Sequence, residues 1–253
     1  MKKVILIICI LGFGFSLMAQ EAATQGEVSY TETMKININF EGMTEQMKER
    51  MPKERKSKQV LYFNEEASSY QASKEQAEGN VPGQRRGRGM RMMMMGGANA
   101  DNKVYLNFKD NLKIEQKEFM TRVFLIKGET NTGNWKLTTN QKMILDYPCQ
   151  EATQITEKDT ISAWFTPVIP VSAGPSNYVN LPGLVLEVNI NNGQRMIVAS
   201  KVDLKPIEKG LIKKPKKGKK VTKDQFKKIV AEKMKEMGVE GGGGRRGVFV
   251  VRH

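Results

Sequence analysis

Residues 161–190 read ISAWFTPVIPVSAGPSNYVNLPGLVLEVNI, a strand, a proline-studded excursion and a second strand. Pro167, Pro170, Pro175 and Pro182 fix φ near the polyproline value and lack an N–H donor, so the segment from Trp164 to Gly183 can be neither helix nor central strand. It has to be a shaped loop. Gly174-Pro175 and Pro182-Gly183 mark tight turns, the second predicting a type II turn with Gly183 at positive φ. Beyond it Leu184, Leu186, Val188 and Ile190 alternate with Val185, Glu187 and Asn189, the period of a strand with one buried face, which stops at Asn191-Asn192-Gly193. Val168, Ile169, Val171, Tyr178, Val179 and Leu181 make the loop too apolar for a solvated connector. It either folds back as the rim of an apolar mouth or caps the core.

Working outward, strand-like segments continue on both sides. Lys103–Phe108, Leu112–Met120, Thr121–Ile126, Trp135–Thr139 and Lys142–Leu145 are separated by turn chemistry at Lys109-Asp110-Asn111, Gly128 and Asn131-Thr132-Gly133. Tyr147–Ile155 and Ile161–Phe165 lead into the loop, and Arg195–Leu204 follows its hairpin. No helix-length periodic segment interrupts this run, and parallel neighbours would need long crossovers. Closer to the start, Met34, Ile36, Ile38 and Phe40 alternate with polar residues, and Val60–Phe63 and Ser69–Ala72 are short strand candidates. Met43, Met47 and Met51, four apart, predict a short helix within Gly42–Glu54 that Pro52 ends or bends. The expected fold is therefore mainly β, an antiparallel meander sheet that is open or partly closed into a barrel. A short helix near the N-terminus and a C-terminal amphipathic helix complete it.

The ends of the chain differ from this body. Met1-Lys2-Lys3, the apolar run Val4–Leu17 and Ala19 read as a signal peptide over residues 1–19, which predicts an exported protein of the periplasm or outer-membrane face, or a secreted one. No later apolar run approaches the roughly 20 residues of a membrane helix, so no transmembrane segment is expected in the mature chain. The β domain is expected over residues 20–204. Within it Gly79–Asp101, GNVPGQRRGRGMRMMMMGGANAD, breaks every periodicity and is expected as a disordered insertion at 79–101. Its Arg85, Arg86 and Arg88 suit an anionic surface, and its methionine cluster has the thioethers of a soft-ion site such as Cu(I); a low-complexity loop without a ligand is the alternative.

Residues 205–253 read as a Lys-rich linker, a helix and a flexible Gly-rich tail. Lys205, Lys209, Lys213, Lys214, Lys216, Lys217, Lys219 and Lys220 face one acid, Glu208, so the run repels itself and stays extended. Thr222 and Gln225 form a capping box for a helix over 223–237, with Phe226, Ile229, Val230, Met234 and Met237 as its apolar stripe before Gly238.

The formal net charge is +14. Outside the leader Cys149 is the one cysteine, so the body has no internal disulfide and stands on its core alone. His253, the sole histidine, is terminal, which leaves no second member for a Ser-His or Cys-His pair or a histidine-built metal site. There is no phosphate loop and no zinc pair; no catalytic residue, metal or cofactor is expected. Cys149 reads as a small apolar strand residue rather than a reactive thiol. Nucleic acid is not an expected partner, because the lysines lack interleaved aromatics for base stacking.

Three ordered blocks carry a resemblance. Tyr147-Pro148-Cys149-Gln150-Glu151-Ala152 comes first, then Ala163-Trp164-Phe165-Thr166-Pro167 with Ile169-Pro170-Val171-Ser172-Ala173-Gly174-Pro175, then Leu181-Pro182-Gly183-Leu184-Val185-Leu186-Glu187. Together they resemble the GLPGLI family, secreted proteins of the Bacteroidetes named for the last loop. Here Asn180 stands for the leading glycine and Val185 for the final isoleucine. The resemblance implies an envelope protein with no established activity, and so supplies no catalytic residues.

Two functional expectations follow. The first is a non-catalytic binding module whose 164–183 loop shapes an apolar mouth, with Trp164, Phe165, Ile169, Tyr178, Leu181 and Leu184 meeting an apolar ligand. The second is a structural or assembly protein that docks on an anionic envelope surface or an envelope protein. Its contacts would be Lys213, Lys214, Lys216, Lys217, Lys219, Lys220, Arg85, Arg86 and Arg88.

Overall fold

The structure, a computed structural model, describes residues 24–36, 46, 53–73, 102–130 and 133–236. Twelve strands among these residues form one sheet: β1 Gly26–Lys35, β2 Glu54–Phe63, β3 Ala67–Ala72, β4 Lys103–Asn107, β5 Leu112–Phe119, β6 Arg122–Glu129, β7 Lys136–Ile144, β8 Tyr147–Ile155, β9 Thr160–Thr166, β10 Leu184–Ile190, β11 Arg195–Asp203 and β12 Lys219–Val221. One helix, α1 Lys223–Glu236, follows. The spatial order is β12-β6-β5-β4-β3-β2-β1-β11-β10-β9-β8-β7. The sheet is open rather than closed into a barrel, with β12 and β7 at its edges.

The meander holds, in two runs joined through the middle. β1 to β6 step outward in chain order, β7 to β11 step back inward, and β1 and β11 zip the halves together. The antiparallel expectation meets one exception, since β12 pairs parallel to β6. Three elements extend beyond their expected bounds. β1 begins at Gly26 rather than near Met34, β2 begins at Glu54, and β7 is one strand where two segments were expected. Its pairing with β8 shifts register between Leu137 and Gln141, and that bulge hides the period of two. The predicted N-terminal helix lies outside the described residues except for Gln46, which is helical. Glu54, at the end of that stretch and beyond Pro52, is already strand.

Strand registers sort the side chains onto two faces, because successive residues alternate sides and cross-strand partners share one. Val28, Leu61, Tyr70, Val104, Glu115, Ile126 and Val221 make one row across seven strands. Ala152, Ala163, Val188, Ile197 and Glu32 make another across five on the same side. This is the face that carries the main core. The 167–183 loop joins that core, together with Tyr30, Phe63 and Phe165.

At the far end α1 covers β6. Phe226 meets Phe124 edge-on at 5.3 Å and Phe119 at 6.3 Å between centroids, and Ile229 packs against the same small cluster. The capping box forms as the sequence predicts. Thr222 N donates to Gln225 Oε1 at 2.9 Å, and Gln225 N donates to Thr222 Oγ1 at 3.2 Å.

The Lys-rich segment expected as a linker is a strap on the opposite face. Ile207 N donates to Gln25 Oε1 and Lys205 sits 3.5 Å from Glu27 at the β1 end. Gly218 lies against Val123 on β6. Between these points the strap crosses from the middle of the sheet to its edge, where it becomes β12. Tyr62, Tyr105, Ile114 and Leu125 are buried on the strap side of the sheet.

Candidate functional site

The 167–183 loop satisfies its own backbone. Val171 N donates to Ile169 O at 2.8 Å around Pro170, Ala173 N to Val171 O at 2.7 Å, and Gly183 N to Leu181 O at 2.8 Å around Pro182. These are i to i+2 turns, and proline's fixed φ suits their centre. The type II turn expected at Pro182-Gly183 is thus a tighter one, with φ of +155° at Gly183. Leu184 N then donates to Ile169 O and Val185 N to Ala173 O, so the returning strand clasps the loop.

Side chains lock it from below. Tyr30, fully buried, donates its hydroxyl to Val185 O at 2.6 Å, and burial pushes that phenol's pKa far up. Trp135 Nε1 donates to Val179 O at 3.0 Å. A Cβ on Gly174 would stand 2.0 Å from Tyr178 O, so the position admits glycine alone. Asn180, where the motif has glycine, sits at φ of +67°, a region that asparagine tolerates better than most L-residues.

All six expected ligand contacts belong to the main core or its margin, with Trp164 and Tyr178 packed against it partly buried. Phe165, Ile169, Leu181 and Leu184 are core residues, none more than 2 % exposed, and as placed they cannot line an open mouth. Trp164, next to Phe165 on a strand, points to the other face. Tyr178 is half-buried near Arg195, whose Nε donates to Glu32 Oε1 at 3.0 Å. Burial pushes the Tyr178 hydroxyl pKa up, while at Arg195 burial is outweighed by Glu32 and two tyrosines, which hold the guanidinium charged. The loop seals a core with an ion pair at its margin.

On the strap side Trp164 sits in a cross-strand row, with Glu151 on β8 and Glu187 on β10 as its partners. Lys142 Nζ donates to both Glu187 oxygens at 2.8 Å and lies 4.2 Å from the Trp164 ring centroid. Glu151 accepts from Ser162 Oγ at 2.6 Å, Asn140 Nδ2 at 2.7 Å and Thr138 Oγ1 at 3.0 Å, and these bonds, Ser162 first, lower its pKa. Every charge in this row has a partner, so the row reads as a latch holding β7 to β10. Cys149 is buried beside it, and burial raises its thiol to about 11 against the smaller pull of Lys142. It is protonated at neutral pH.

The basic strap presents the opposite picture. Lys213, Lys214, Lys216, Lys217, Lys219 and Lys220 are all exposed, and among the described residues none of them makes an ion pair. Lys213 comes close enough to depress the pKa of Lys103 on β4, an effect second to that residue's burial. Lys223, Lys227 and Lys228 on the first half of α1 are exposed too, with Asp224 the lone acid between Lys213 and Lys228. Arg85, Arg86, Arg88 and the methionine cluster lie outside the described residues, as do residues 1–19 and the Gly-rich tail.

Comparisons with known proteins bear on the fold and on one stretch. Residues 153–187 match a family model described as Protein of unknown function (Porph_ging). The match begins in β8 and ends in β10, so it spans the loop and its two flanking strands. Two crystal forms of PNGF-II are similar in structure. The C2 form aligns with a TM-score of 0.54 at 17 % identity, and the P21 form with 0.53 at 18 %. They cover 82 % and 83 % of this chain but 33 % and 34 % of PNGF-II, so the chain spans about a third of that protein's length. At such identity the likeness is one of β-rich fold. No curated protein matches the chain.

Sequence reasoning missed three charged features. Glu32 and Arg195 are far apart in sequence and meet only because β1 pairs β11. Lys142 and Glu187 meet across β8 and β9. Glu115 stands in an otherwise apolar row between Val104 and Ile126, flanked by Lys113 at 2.8 Å and Lys117 at 2.7 Å. Burial works to raise its carboxyl, but Lys117 and Lys113 prevail and hold it at about 2. The alternation Lys113, Glu115, Lys117 was visible as a signal, though not that it faced inward. Among the described residues no group of three His, Cys, Asp or Glu could hold a metal, and no helix is long and apolar enough to cross a membrane.

Proposed function

We propose that this chain is an exported, non-catalytic envelope protein that docks by charge on an anionic surface through its strap and the adjoining half of α1. The observation that carries this reading is a contrast in commitment. The acids near Trp164 and beneath the loop are already bonded within the fold, whereas Lys213, Lys214, Lys216, Lys217, Lys219 and Lys220 stand exposed and make no ion pair among the described residues. Unpartnered like charges on an ordered backbone raise the local potential and favour an outside counter-charge. The apolar reading of the loop draws less support, since four of its six contacts are core. The leader-like first residues and the resemblance to the GLPGLI family support an envelope setting among the Bacteroidetes.

The test is co-sedimentation of the full chain with isolated envelope fragments across a salt series. Binding is expected at low ionic strength, to fall steeply as salt rises, and to vanish when Lys213, Lys214, Lys216, Lys217, Lys219 and Lys220 are changed to glutamine. Association indifferent to salt, or retained by that variant, would refute the proposal.

A further inference from the structure

We infer that the ligand of this basic surface is a flexible linear polyanion, such as an acidic polysaccharide of the envelope, that wraps the β12 edge. This rests on the docking reading above and names its partner. The lysines do not lie in one plane. The strap runs on the face of Glu27, Tyr62 and Val123, whereas α1 packs on the opposite face through Phe124 and Ile126. Lys219 and Lys220 lie on the edge strand between them. Lysines 213 to 217 therefore approach from one side of the sheet, and Lys223, Lys227 and Lys228 stand on the other. The charges form a convex ridge around an edge.

A flat bilayer can touch such a ridge only along its crest, leaving the lysines of one side or the other turned away. A flexible chain can follow it round and meet both sets. The end of the strap and β12 together, extended from Lys213 to Lys220, are on the order of 23 Å long. Membrane insertion lacks its usual anchor as well. The exposed large apolar residues are Leu137, Met143, Leu145, Ile155 and Val168 at the β7–β8 end and in the loop, with Met120 and Leu204 standing singly, and none of the described side chains from Lys205 to Glu236 joins them. Lysine rather than arginine supplies the charge, a point cation without a fixed fork, which suits diffuse holding of a repeating anion over recognition of one group.

Binding of the full chain is measured by titration calorimetry against oligogalacturonates of increasing length, and by flotation with phosphatidylcholine vesicles containing phosphatidylglycerol. Two variants accompany it, Lys216→Glu/Lys217→Glu on the strap and Lys227→Glu/Lys228→Glu on the helix, each checked by thermal unfolding. Affinity for the oligomers should climb with length until they span the ridge. Both variants should then lose at least tenfold, and the salt slope should fall by on the order of 0.7 per lysine removed. Vesicle binding without oligomer binding, or a helix variant that binds oligomers as well as the parent, overturns the wrapping polyanion and leaves charge-driven docking standing. Failure to bind either probe at low salt overturns both.

Discussion

The 167–183 loop and the 205–218 strap are both irregular segments laid over the same sheet, yet they are held by opposite means. The loop is short of charge, closes its own backbone through tight turns and sinks Ile169, Val171, Ala173, Val179 and Leu181 into the main core. The strap is held at its two ends and by half-buried Ile207, Leu211 and Ile212, with its lysines in solvent. Apolar burial fixes a segment without leaving anything for a partner. A charged segment fixed by its few apolar residues keeps its charges available.

That contrast can be broken by substitutions, beginning beneath the loop. Phe165→Ala empties a fully buried site and should cost about 3–5 kcal/mol of global stability in urea unfolding. A loss under about 1 kcal/mol would mean that the loop is not seated on the core.

The next effect concerns Glu115. Its folded pKa, about 2 against an ordinary 4.5, means that its stabilisation is present above pH 4.5 and is lost as pH falls toward 2. The shift corresponds to on the order of 3 kcal/mol. Stability profiles of the parent and of Glu115→Gln should therefore converge at acid pH and separate above it, the variant being the weaker. Parallel profiles would show that the lysines do not hold this carboxylate.

At the strap end the same kind of truncation should act locally. Phe226 is half-buried, so Phe226→Ala should cost about 2 kcal/mol and release β12 and α1 before the rest of the sheet. Hydrogen exchange would then quicken in Lys219–Glu236 and not in Leu184–Ile190; equal quickening in both would mean that the two ends unfold as one unit. Smallest of all, changing the six strap lysines to glutamine should move stability by no more than about 0.5 kcal/mol. A large loss would assign those lysines to the fold and remove the reason to look for an outside partner. Cys149 supplies a control for the sealed end, since its buried thiol should resist alkylation at pH 8 until urea unfolds the chain.

Most of the β body was legible because local chemistry writes it. Alternation from Leu186 to Ile190, prolines that forbid regular structure in the loop, and Asn191-Asn192-Gly193 at the turn each constrain only neighbours in sequence, whereas a bulge between Val185 and Glu187 buries Val185 beside Phe165 and breaks the alternation expected from Leu184 onward. The asparagines at 191 and 192 indeed take φ near +50°. The capping box at Thr222 and Gln225 is local in the same way. What escaped was everything that depends on pairing at a distance. Trp164 and Phe165 are adjacent in sequence and both aromatic, so nothing in their identity says which faces the core. The strand's two-residue period separates them, and the registers with β8 and β10 settle the sides.

By itself, then, the sequence determined a mainly β chain with a rigid apolar loop, a capped helix and a concentrated positive charge, because proline geometry, side-chain period and formal charge are properties of short stretches. Only the tertiary structure decided that the loop fills a core, that the lysine run becomes a strap ending in a parallel edge strand, and that Glu32, Glu115 and Glu187 are spoken for by cations. Those outcomes depend on which strands lie side by side. A carboxylate's partner is set by a distance of about 3 Å in space, and sequence separation carries no record of that distance.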